Sequence, residues 1–98
     1  MGARRASYEA KWQIFATALG PIRHSCVPWL VEDKEDAQSI ILYGTAGEGE
    51  KRKRLRLELM RWHPDKFVAR FGGRVVEAER ERVLQRVKEI SQMLNSLA

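Results

Sequence analysis

His63, Pro64 and Asp65 stand together in the stretch Glu58 to Phe67, "ELMRWHPDKF", with an imidazole and a carboxylate on either side of a rigid ring. A His–Asp pair moves protons when it adjoins a nucleophile, and it binds metal when further His, Cys or acidic ligands converge. No Ser, Cys or second His/acid cluster is positioned by the sequence to complete such a relay. His24, Cys26 and His63 have no recognised zinc-ligand spacing. An enzyme, a metal site and a cofactor are therefore not expected. Two readings of the tripeptide remain. It is a structural turn, with Asp65 as a cap and His63 satisfying carbonyls at a helix end, or it is held out for a partner.

Charge bears on that choice. Residues 1–50 carry five Lys/Arg against seven Asp/Glu, a net of −2, and residues 51–98 carry thirteen against six, a net of +7. The pI near 9.8 belongs to the second half, where an anionic partner should approach. Lys51-Arg52-Lys53-Arg54 fits a nuclear-import patch and would also attract RNA. Its plainer reading is the solvated start of a helix, which is mildly unfavourable for cations. No apolar run approaches the roughly 20 residues of a membrane span. A lone cysteine fits a reducing compartment, the nucleus or the cytosol, and a soluble monomer is expected.

The elements that must position these groups are helical. Residues 1–6 read as a flexible basic tail ahead of one domain over residues 7–98. Ser7 then reads as an N-cap, despite its basophilic-kinase context "RRAS", and Tyr8, Trp12, Phe15 and Leu19 fall on one helix face. Gly20-Pro21 ends that helix. "PIRHSCVPWLVED" has no helical period and reads as an extended connector, with the Trp29 ring turned back onto the core and Cys26 a buried or neutral thiol. A short helix is expected over about Asp33–Tyr43, ended by Gly44. A longer one is expected over Glu50–Trp62, with Leu55, Leu59 and Trp62 inward. Pro64 should stop it, leaving a loop over residues 63–74. Val76, Val83, Val87, Ile90, Leu94 and Leu97 form one stripe of a final helix over about Val75–Leu97, and Arg80 lays its stem along it. The class is all-α, built on an antiparallel helix pair.

A basic helix, a His-Pro-Asp loop and an antiparallel third helix resemble a J domain, the module by which co-chaperones engage Hsp70. The spacing of Val87, Ile90, Met93, Leu94 and Leu97 is similar to that of a J-domain third helix. "LRLELMRWHPDKF" followed by "RFGGRVVEAERERVLQRVKEISQMLNSL" is more specifically similar to the end of the NF-kappa-B inhibitor-like proteins, which are nuclear proteins with ankyrin repeats upstream. The resemblance implies a J-like fold with an N-terminal helix and a short helix added and no fourth J-domain helix. It implies docking of Hsp70 by His63, Pro64, Asp65, Arg52, Arg56, Arg61 and Lys66. Glu58 is expected to interrupt the positive face and to pair with Arg54 and Arg61. The alternatives are a basic module contacting RNA in nuclear RNA processing, and a J-like scaffold without Hsp70 stimulation.

Overall fold

Helical spacing of the apolar residues yields an all-α chain, as expected. The computed structural model describes residues 2–30 and 33–97. They form α1 (Gly2–Thr17), α2 (Lys34–Ile41), α3 (Gly47–Arg61), α4 (Pro64–Phe71) and α5 (Glu77–Asn95), with single 3-10 turns at His24–Cys26 and Gly72–Arg74. Leu97, just past α5, shares a groove with Glu48 and Lys51 in the first half of α3. Helices α3 and α5 therefore run in opposite directions.

Local chemistry sets the helix ends. Asp33 caps α2 by accepting the Asp36 N–H at 2.9 Å, and Glu35 and Asp36 complement the dipole in its first turn. Beyond α2 the chain turns through Gly44 at φ +78°, a conformation that favours glycine. Arginines close the other ends. Arg5 and Arg54 both donate to the Ile41 carbonyl, at 2.8 and 3.0 Å, and Arg74 donates to the Ala18 and Gly20 carbonyls past α1.

The core joins all five helices. Tyr8, Trp12 and Phe15 of α1 meet Trp62, and Phe67 and Phe71 of α4. Val83, Val87, Ile90 and Leu94 of α5 are fully buried. The connector is strapped to the α4–α5 junction where Ile22 N–H donates to Arg74 O and Val76 N–H donates to Ile22 O. Trp29 stacks on Trp62 at 5.6 Å, the inward turn expected of it.

Several expectations are corrected. Helix α1 begins at Gly2, so residues 2–6 are helical and Ser7 lies inside the helix rather than at its cap. The tertiary reason is that Arg5 donates to the Ile41 carbonyl at 2.8 Å, and a local i,i+4 pair with Glu9 at 3.1 Å adds to it. Leu19 lies past the end of α1 and is 95% exposed, because the helix stops at Thr17. Cys26 is exposed. The expected loop over 63–74 contains α4, whose Pro64 occupies the first helical position where a missing N–H costs nothing.

Candidate functional site

His63 sits between two helices as the N-cap of α4. Its extended backbone (φ −62°, ψ 123°) turns the chain, and its Nδ1 accepts the Asp65 N–H at 3.2 Å. With Nδ1 accepting, the neutral ring carries its proton on Nε2. Asp65 lies in the first turn of α4, where its charge suits the helix dipole. His63, Asp65 and Lys66 are exposed and Pro64 is half-buried. Preceding them, Trp62 is fully buried and its N–H closes α3 on the Glu58 carbonyl.

A buried polar chain fixes Trp62 in place. Its Nε1 donates to Tyr8 Oη at 2.9 Å, and Tyr8 donates to Glu58 Oε2 at 2.8 Å. Arg61 Nη1 donates to Glu58 Oε1 at 2.8 Å, and the same guanidinium grips Glu9 with two nitrogens at 3.1 and 3.2 Å. Its Cζ also lies over the Trp12 ring, 4.7 Å from the centroid. Burial pushes the Glu58 carboxyl above the usual carboxylate range, against the pull of Arg61 and the Tyr8 hydrogen bond. Burial and the Glu58 charge likewise raise the Tyr8 hydroxyl. Burial would raise Glu9 too, but its bonds to Arg61 and the charges of Arg5 and Arg54 outweigh that and hold it low.

The residues singled out from the sequence therefore divide. Arg52 and Arg56 are exposed on the outer side of α3, and His63, Asp65 and Lys66 are exposed beyond its end. Arg61 is not on that face, because it is turned inward onto Glu9 and Glu58. Within the basic patch, Lys51, Arg52 and Lys53 are exposed, whereas Arg54 is half-buried and donates to the Ile41 and Tyr43 carbonyls. Glu58 does not interrupt the positive face, since it is 2% exposed and points into the core. It pairs with Arg61 as expected, but Arg54 is committed to backbone instead.

Two residues on the outer side were missed as contact groups. Leu57 and Met60 are 56% and 50% exposed beside the cations. The i, i+4, i+8 run Arg52, Arg56, Met60 carried the signal, but Leu55, Leu59 and Trp62 drew attention to the buried stripe. Among the described residues, the His63 side chain has one hydrogen-bond partner, the Asp65 N–H, and no group of three or more His, Cys, Asp or Glu converges as a metal site. The arrangement can present cations, an imidazole N–H and a carboxylate to a surface.

Residues 35–98, from α2 through α5, match the family described as the NF-kappa-B inhibitor-like protein 1 C-terminal domain. No solved structure matches the chain. Helix α1, which supplies Tyr8, Glu9 and Trp12, precedes the matched span.

Proposed function

The chain belongs to the NF-kappa-B inhibitor-like protein 1 C-terminal domain family, and from that premise we propose that it is a J-domain-like protein-interaction module. Its partner surface is the outer side of α3 together with the start of α4, and Hsp70 is the partner put forward. The nucleus is the compartment proposed. One observation carries this reading: His63 and Asp65 at the start of α4 are exposed, as are Arg52 and Arg56 on α3, while Trp62 beside the tripeptide is fully buried.

Arg52, Arg56 and Lys66 would steer an acidic surface toward the module, acting on association more than on final affinity. Asp65 then accepts a charge-assisted hydrogen bond from a partner arginine, at about 2.8 Å. Arg61 is a positioning residue, because it holds the end of α3 through Glu58 and Glu9.

Hsp70 ATP turnover, measured with and without the domain, tests the proposal. The wild-type domain should accelerate turnover, and His63→Gln should abolish the acceleration while costing about 1 kcal/mol of stability or less. Equal rates without the domain, with wild type and with His63→Gln would remove the co-chaperone role and leave the scaffold. The exposed Lys51, Arg52 and Lys53 favour a second reading, RNA contact. That reading requires RNA affinity that falls by about 0.7 log units per neutralised phosphate for each tenfold rise in salt.

A further inference from the structure

Leu42 after α2, Leu55 and Leu59 of α3, and Leu97 after α5 form the apolar floor of a groove of about 490 Å³. That size lies within the range of ligand-binding clefts. Lys51, Arg52 and Arg56 line the groove and are exposed. Lys51 is partly neutralised by Glu48 at 3.8 Å, whereas among the described residues no acid pairs with Arg52 or Arg56. Leu42, Leu59 and Leu97 are left half-covered.

We propose that this groove seats an acidic amphipathic peptide segment of a partner protein. Its apolar side chains rest on the leucine floor and its carboxylates meet Arg52 and Arg56. Charge complementarity selects this occupant. A second copy of this chain, with its net charge of +5, would bring like charge to the rim. Nucleic acid fits poorly, because the lining has no aromatic ring on which a base could stack and Glu48 repels phosphate. The occupant goes beyond the function proposed above: it shares Arg52 and Arg56 with that docking face but uses neither His63 nor Asp65.

Fluorescence anisotropy of labelled peptides on the whole chain tests it. One peptide carries leucines on one helical face and glutamates elsewhere, a second replaces the glutamates with lysines, and a single-stranded RNA oligonucleotide is the third probe. The glutamate peptide should bind and the lysine peptide should not. Reversing both rim charges, Arg52→Glu with Arg56→Glu, should weaken binding about tenfold or more. Leu97→Ser, which removes a half-covered leucine from the floor, should weaken it about fivefold. His63→Gln should leave peptide affinity unchanged while removing Hsp70 stimulation, so the two proposals fail separately. Equal binding of both peptides, indifference to the charge reversal, or RNA that binds more tightly and displaces the peptide would overturn the assignment.

Discussion

Arg61→Gln tests whether the buried chain between α1 and α3 is held by charge. The guanidinium faces Glu58, which is 2% exposed, and Glu9, which is part-buried. Removing one partner of a buried ion pair typically costs 3–5 kcal/mol, because the remaining charge is left uncompensated. The Arg61 side chain is 23% exposed, so partial solvent screening places the loss near the low end, about 3 kcal/mol. For a domain of this size that corresponds to a fall in melting temperature of roughly 12–24 °C. Glu58→Gln keeps an acceptor for Tyr8 and removes the buried charge, and it should cost about 1 kcal/mol. In that background Arg61→Gln loses only the partly exposed Glu9 pair and the contact with the Trp12 ring, again about 1 kcal/mol. The double-mutant cycle, read by urea unfolding, should therefore show about 2 kcal/mol of coupling. The pH dependence has a definite sign. An acid whose pKa is raised on folding stabilises the fold below its unfolded value and loses that contribution as pH rises through the folded value. Glu58 is such an acid, so the deficit of Arg61→Gln should shrink as pH falls from about 7 toward the ordinary carboxylate value of 4.5. Glu9 is held low mainly by Arg61, so its share of the deficit is present above the ordinary carboxylate value of 4.5 and is lost below it, which does not oppose this trend. The same loss in both backgrounds, or a deficit indifferent to pH, would refute a charge-held junction.

Trp62→Ala should cost about 3–5 kcal/mol and leave much of the chain unfolded in a thermal melt, since the indole is fully buried and stacks on Trp29 and Phe67. A two-state melt within a few degrees of wild type would show that Trp62 does not anchor the end of α3. Gly44→Ala should cost about 1–2 kcal/mol through backbone strain alone. The position has φ +78° and a Cβ there meets nothing within 4 Å. An unchanged urea midpoint would mean that the turn relaxes out of the left-handed region.

The site was legible in part for a physical reason. Pro64 dictates a break after Trp62 from its own covalent geometry, so His63 and Asp65 at a helix boundary follow from local chemistry. Whether a given arginine faces solvent depends on what lies opposite it in space. Arg52, Arg54, Arg56 and Arg61 look alike in the sequence, yet Arg54 closes α2 and Arg61 closes onto α1. The partners of Arg61 include Glu9, 52 residues away along the chain. No local pattern announces such a contact.

The same division holds for the fold. Period and punctuation alone determined the all-α class, the start of α2 near Asp33 with acids in its first turn, and the buried stripe of α5, because each rests on contacts within a few residues. Tertiary structure decided where α1 begins, since the bond of Arg5 to the Ile41 carbonyl ties down a helix whose first residues have little apolar character of their own. It also decided the direction of Glu58. A carboxylate in a basic helix reads as a surface break in the charge, but Tyr8 and Arg61 supply buried partners that let it turn inward. From Lys51 onward, burying that one acid leaves the exposed face of α3 to cations and to Leu57 and Met60.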